Sequence, residues 1–241
     1  MHLSARSIEN SAPDPFGLAL WDHGHGQFVP PLLLHNLCGE PDELPVDGYF
    51  FEADEISEME CHALSLCRGK VIDIGAAAGR HSLILQNRGL DVVAMDASDW
   101  CCRLMRRRGV RNINCANIFD FNEEPVYDTI LLMMNGIGLA GDLKGLRQLL
   151  QIMHRLLLPG GQVLFDSSDI AYLYDNFEKP KKRYYGEMDY RYEYKGKLGD
   201  WFKWIYIDPQ KMAAIARDHG WACQIVYSDE SGSYLARLQR S

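Results

Sequence analysis

A chain of 241 residues, 47% of them hydrophobic, is long enough for one domain with a full core and a ligand cleft. Its formal net charge of −8 disfavours a grip on a phosphate backbone, which needs a basic surface, so nucleic acid is not the expected partner. No apolar segment approaches the roughly 20 residues that span a bilayer, and membrane embedding is excluded. The first seventy or so residues are too many for a bare linker and are expected to form a helical cap, residues 1–68, within the same domain. Phe16 to Trp21 has helical spacing after two prolines, and residues 54–67 read as an amphipathic helix carrying Ile56, Met59, Ala63, Leu64 and Leu66. Between them WDHGHGQF sets Trp21, His23 and His25 on a Gly-rich loop, and GYFFEADE sets Tyr49, Phe50 and Phe51 before the second helix. The His-x-His pair lacks a third ligand in sequence, so ordinary loop histidines are favoured over a metal site. The aromatics suit either a cover for a ligand or core anchors of the cap.

Lys70 to Gly75 carries the β-branched run Val71, Ile72, Ile74 and predicts a strand buried on both faces of a parallel sheet. Gly75, Ala76, Ala77, Ala78 and Gly79 follow, small residues that let a ligand lie against the main chain. A helix is expected from Arg80 to a stop at Gly89, its free amides pointing back at the turn. Such loops also serve tight strand–helix packing alone, but Asp73 is unusual there. A buried carboxylate must find donors or a cation, for which a ligand amine is a natural partner. Val92 to Met95 predicts a second buried strand with Asp96 at its carboxyl end, where open α/β sheets bind ligands and where one carboxylate can accept from both hydroxyls of a ribose. RLMRRRGVR at 103–111 is expected to be the solvated end of the next helix. CANIFDF places Asn117, Ile118 and Phe119 after a third strand, YDTILLMMNGIG ends a fourth in Asn135 and Gly136, and LLLPGGQVLFDSSD reads as helix end, turn and fifth strand.

The stretch 184–207 then intervenes. YYGEMDYRYEYKG and DWFKWIYI alternate aromatic with polar residues around a Gly-containing turn and predict a long antiparallel hairpin. Leaving from the edge of strand five with Tyr184, Tyr185, Tyr190, Tyr192, Tyr194, Trp201, Trp204 and Tyr206, it is a candidate substrate wall; cross-strand pairs that only hold the hairpin together explain the aromatics equally well. The basic run KPKKR at 179–183 is read as a solvated loop, with attraction of an anionic substrate as the alternative. Asp208 and Pro209 open a well-signalled helix that ends at Gly220, and Trp221 to Tyr227 and Tyr234 to Leu238 read as a closing pair of strands. Seven cysteines without a CxxC pair, and no charged-then-apolar leader, predict reduced thiols and a cytoplasmic protein.

From about Gly69 to Asp169 the chain resembles the class I S-adenosylmethionine-dependent methyltransferases, whose first motif has an acidic residue, a spacer and three alternating glycines. Asp73, Gly75, Ala77 and Gly79 follow that pattern, with Ala in place of the middle glycine. The resemblance implies an α/β, Rossmann-like methyltransferase fold: a seven-stranded, mostly parallel sheet with an antiparallel last strand and helices on both faces. Residues 69–241 would form it, the N-terminal cap and the hairpin insertion after strand five being its elaborations. It also implies S-adenosylmethionine as cofactor, with S-adenosylhomocysteine as product. Asp73 would orient the methionine amine, Gly75 to Gly79 would back the methionine and ribose, Asp96 with Ala97 would bind the ribose diol, Asn117 with Ile118 and Phe119 would take the adenine, with Asp120 as the alternative to Asn117, and Asn135 and Gly136 would flank the transfer point. The expected activity is methylation of O or N on a small, aromatic or partly apolar acceptor, bordered by Trp21, His23, Tyr49, Tyr185, Trp201 and Trp204, by a monomer or homodimer. A catalytic residue is not assigned; His23, His25, Glu187 and Asp166 are possible proton acceptors. The rival readings are an NAD-dependent oxidoreductase and a cofactor-binding module without turnover.

Overall fold

The computed structural model describes residues 13–37, 39–176 and 178–241. Its centre is a seven-stranded sheet in the order β11-β12-β7-β6-β3-β4-β5, formed by β3 (Lys70–Ile74), β4 (Asp91–Asp96), β5 (Asn112–Cys115), β6 (Tyr127–Leu132), β7 (Leu157–Ser168), β11 (Trp221–Ser228) and β12 (Ser233–Arg240). The pairs β3–β4, β3–β6, β4–β5 and β6–β7 are parallel, and the last strand, β12, runs antiparallel to both its neighbours. The strand order reverses between β3 and β6, which opens a crevice at their carboxyl ends. Val71, Ile72, Ile74, Ile130, Leu131, Leu132, Val163, Leu164 and Phe165 are buried, as strands covered on both faces require.

Helices α3 (Arg80–Asn87), α4 (Asp99–Arg108), α5 (Leu143–Leu156) and α6 (Pro209–Asp218) connect these strands. Each except α3 is capped by a side chain from Ser98, Asp142 or Asp208 that accepts a backbone N–H of the first turn. α3 starts instead from Gly79, at φ +79°; a Cβ there would meet Met105 and Val110 at 2.9 Å. The turn needs glycine at this position for both backbone angle and space.

The N-terminal region is helical at α1 (Pro15–His23) and α2 (Glu58–Leu66). Ser57 and Glu60 form a reciprocal capping box, which starts α2 later than the expected position 54. Ala63 and Leu64 of α2 pack with Val71, Leu131 and Leu164 beside the sheet. The same region also supplies β1 (Leu32–Asn36) and β2 (Asp42–Glu43), strands absent from the helical reading of the cap. They join β8 (Glu187–Tyr194), β9 (Lys197–Leu198) and β10 (Phe202–Ile205) of the insertion in a second, antiparallel, five-stranded sheet. The hairpin is therefore wedged between chain segments far apart in sequence: Leu34 pairs with Tyr192 on one side and Phe202 with Tyr190 on the other. Residues 1–12 of the expected cap lie outside the described residues.

Two expectations are corrected. Cys102 and Cys115 form a disulfide with Cα atoms 5.9 Å apart, so the thiols are not all reduced; the packing of α4 against β5 brings together sulfurs that no spacing rule links. The basic end of α4 is also only partly solvated. Arg106 and Arg107 are exposed, but Arg108 donates to the Ala78 carbonyl at 2.8 Å and lies 4.9 Å from the Phe50 ring centroid, tying the glycine turn to the cap.

Candidate functional site

A cavity of about 600 Å3 opens at the carboxyl ends of β3, β4, β6 and β7. Its floor is Gly75, Ala76 and Ala77 after β3, Asp96 at the end of β4, Met133 to Gly136 after β6, and Asp166 near the end of β7. Gly75 holds φ +75°, and its amide and that of Ala76 both donate to the Met95 carbonyl, at 2.9 and 3.0 Å. Those bonds fix the turn so that its backbone, bare of long side chains, faces the cavity.

Asp96 is positioned by two amides: its Oδ2 accepts from Ala77 at 2.8 Å and its Oδ1 from Ser98 at 2.8 Å. Each oxygen keeps a lone pair for a further donor. Burial pushes the carboxyl up to about 6, against the pull of the Ser98 and Ala77 amides. Asp73 lies behind the turn rather than on the cavity wall; its Oδ2 accepts from the Ser82 hydroxyl at 2.6 Å, linking β3 to α3, and burial raises it. Asn117 caps a 3-10 turn at Ile118–Asp120 by accepting from the Phe119 amide at 3.0 Å, next to the end of β4. Ala97, Asn117, Ile118 and Phe119 do not line the cavity.

At the opposite end, Asp166 Oδ2 accepts from the Asn135 amide at 2.8 Å, while its Oδ1 is buried without a partner. Burial pushes this carboxyl up to about 6 as well, opposed by the Asn135 and Gly136 amides. Met134 and Asn135 hold positive φ, 65° and 55°, which few non-glycine residues adopt. The Ser168 hydroxyl, donating to Asn135 Oδ1 at 3.0 Å, helps hold that turn.

Charge along the α2 side is self-contained. Glu60 pairs with Arg80 and, at 2.8 Å, with His81 Nε2. Burial would raise Glu60, but the hydrogen bond and charge of His81, with Arg80 and Ser57, bring it down to about 2. Arg80 also donates to the Gly48 carbonyl and lines the cavity, while its Nε is buried without a hydrogen-bond partner.

The roof is the inward face of the second sheet. Strand alternation puts Leu34, Tyr190, Tyr192, Phe202 and Trp204 toward the cavity, and Phe16, Tyr49 and Tyr206 complete the wall. Tyr192 stacks between Phe16 and Phe202, each at 5.0 Å, and Tyr49 meets Phe16 edge-on at 5.3 Å. A methyl added to Gly138 would collide with the Trp204 indole, so the roof sits directly on the turn after β6.

Of the residues expected around the acceptor, Tyr49 and Trp204 line the cavity, whereas Trp21, His23, Tyr185 and Trp201 do not. Trp21 packs on His25 and Trp100, and His23 on Phe50. Tyr185 precedes β8 and donates to Asp169 at 2.7 Å; Trp201 precedes β10 and is covered by Arg191. His25 and Glu187 are also away from the cavity, Glu187 accepting from the Leu143 amide at 3.0 Å. Arg80, His81, Tyr190, Tyr192, Phe202 and Tyr206 are additional wall residues. A signal existed for Arg80: a cation in a helix's first turn runs against the macrodipole and needs another reason.

Residues 49–203 match the family described as tellurite resistance protein TehB. A SAM-dependent methyltransferase from Bacteroides fragilis, solved in complex with S-adenosyl-L-homocysteine, superposes with a TM-score of 0.88 at 36% identity, over 96% of this chain and 98% of that one. The chain belongs to the TehB family of class I S-adenosylmethionine-dependent methyltransferases. The CcbJ methyltransferase from Streptomyces caelestis (TM-score 0.64, 14% identity, 83% of this chain and 100% of that one) and the PH0226 protein from Pyrococcus horikoshii (0.59, 15%, 80% and 96%) share the fold. No curated protein matches the sequence. The cofactor of this methyltransferase is S-adenosylmethionine, and the oxidoreductase reading falls. The site's chemistry agrees: Asp96 has free lone pairs for a diol, the small-residue turn leaves room beside it, and the Arg80 side chain brings a positive charge to the same wall. Among the described residues, no helix is long and apolar enough to cross a membrane.

Proposed function

We propose that this methyltransferase transfers a methyl group to O or N of a small, partly aromatic molecule held under the second sheet. The observation that carries the reading is the continuity of one cavity from the glycine turn and Asp96 to the wall of Tyr190, Tyr192, Phe202 and Trp204. A volume of about 600 Å3 lies within the ~300–1,000 Å3 range of small-molecule sites. The cofactor supplies an activated methyl on a sulfonium. The chain's task is then to align an acceptor at about 3–3.5 Å and to exclude water. Asp96 holds the ribose, with Asn117, Ile118 and Phe119 beside the adenine, and Gly75 to Ala77 back the rest of the nucleoside. The Arg80 guanidinium, held by Glu60, offers its charge to the methionine carboxylate, and Asp73 acts through Ser82 by holding α3 against the turn. Asn135 and Gly136 border the transfer point, and the aromatic roof covers the acceptor and keeps water out.

The test is transfer of labelled methyl from S-adenosylmethionine to a cell extract divided by size. Label in the low-molecular-weight fraction is expected; label confined to protein or RNA overturns the proposal.

A further inference from the structure

Asp166 is a carboxylate on this cavity's wall that the cofactor assignments do not use. Only 4% exposed, it sits at the carboxyl end of β7, two strands from the glycine turn. One oxygen is held by the Asn135 amide at 2.8 Å, and the other is buried with no partner. Leaving a carboxylate oxygen unpaired in a dry site is costly unless something arrives to fill it. The other charges on the wall do not: Glu60, Arg80 and His81 are paired with one another. The same cavity is lined by the rings of Tyr190, Tyr192, Trp204 and Tyr206, whose faces attract cations. A carboxylate with a vacant oxygen and a wall of electron-rich rings together select a cation that can donate a hydrogen bond. They select against a carboxylate or phosphate.

We propose that the methyl acceptor is an amine, anchored as its ammonium by the Asp166 carboxylate, which then takes the proton that frees the nitrogen lone pair. This rests on the functional reading above and narrows it. The ammonium gives one proton to the carboxylate, leaving a neutral amine and a carboxylic acid. The nitrogen lone pair then forms a bond to the methyl carbon, the carbon–sulfur bond breaks, and its electron pair stays on sulfur as the neutral thioether. The methylated ammonium departs and the carboxyl returns its proton to water. Burial of Asp166 raises its proton affinity and narrows the gap to an amine. Of the elements packed on the carboxylate, the turn after β6 presents the Asn135 and Gly136 amides, β12 presents Leu235 across the sheet, and α3 presents His81, a titratable group whose charge acts on it.

The test uses labelled S-adenosylmethionine and a metabolite extract resolved by cation and anion exchange at pH 7, with wild type and Asp166→Asn side by side. Asn keeps an acceptor for the Asn135 amide, and S-adenosylhomocysteine calorimetry checks that the cofactor site is intact. After unreacted S-adenosylmethionine is separated off against an enzyme-free control, label is expected in the cation-exchange-retained fraction, with transfer down about 100-fold or more in Asp166→Asn at unchanged S-adenosylhomocysteine affinity. The acid limb of kcat/KM near pH 6 should vanish in the variant, which a structural role alone would not produce. Label in neutral or anionic fractions overturns the inference and leaves the wider function standing; label in no fraction overturns both. Wild-type transfer by Asp166→Asn overturns the inference, as does a tenfold loss of S-adenosylhomocysteine affinity, which would give the carboxylate to the cofactor's amino group.

Discussion

Replacing Asp96 with Ala isolates the polar grip on the nucleoside. The carboxylate accepts from the Ala77 and Ser98 amides at 2.8 Å each and keeps two lone pairs, enough for both ribose hydroxyls. A hydrogen bond to a charged group contributes about 1.5–3 kcal/mol, so losing two removes roughly 3 kcal/mol at the low end, and 1.4 kcal/mol is a factor of ten in affinity. S-adenosylhomocysteine should therefore bind on the order of 100-fold more weakly to Asp96→Ala, measured by titration calorimetry at pH 7.5. Asp96→Asn should fall between, because the amide keeps one oxygen acceptor but turns an NH2 toward one of the two backbone donors. Circular dichroism must show both variants folded. Affinity within threefold of wild type for Asp96→Ala would refute the placement of the ribose at β4.

Other outcomes follow from the same geometry. Asp96 and Asp166, both raised by burial to about 6, favour the folded apoprotein when protonated, so they stabilise it below the ordinary carboxyl range and lose that effect as pH rises through 6. Glu60, held near 2, acts oppositely and loses its contribution as pH falls from about 4.5 toward 2. Calorimetric scans should find the apoprotein melting higher at pH 5 than at pH 7, the stability differing by about 1.3 kcal/mol per raised group over that interval; a lower melting temperature at pH 5 contradicts the burial of the two aspartates. Arg80→Ala leaves Glu60 short of a buried partner and should cost about 3–5 kcal/mol in urea unfolding; a loss under 1 kcal/mol would mean that the pair is solvated. Gly138→Val pushes the Trp204 indole off the turn after β6, so acceptor turnover should fall while S-adenosylhomocysteine affinity holds; equal losses in both would place Trp204 against the cofactor.

The main sheet was legible because each of its strands is an apolar run closed by turn residues, and the site's floor because small residues and Asp96 stand where such sheets bind ligands. Asp73 was legible as an unusual carboxylate, but not the direction of its side chain, which turns to Ser82 in α3. The second sheet was half legible. The hairpin declares itself by alternation, whereas β1 is five residues, LLLHN, whose partner β8 lies more than 150 residues away, a pairing no local pattern encodes. The aromatic wall turned on a boundary. Because β8 starts at Glu187 and β10 at Phe202, Tyr185 and Trp201 fall outside the strands, and alternation within them selects Tyr190, Tyr192, Phe202 and Trp204. The disulfide and the inward turn of Arg108 depend on how α4 packs, which spacing alone does not specify.

The most direct measurement is a crystal structure with S-adenosylhomocysteine bound. The ribose diol should lie on Asp96, the homocysteine should run along Gly75 to Ala77 toward Arg80, and the sulfur should face the space between Asp166 and the roof of Tyr192 and Trp204. A nucleoside seated anywhere else, or a sulfur turned away from that space, would contradict the account.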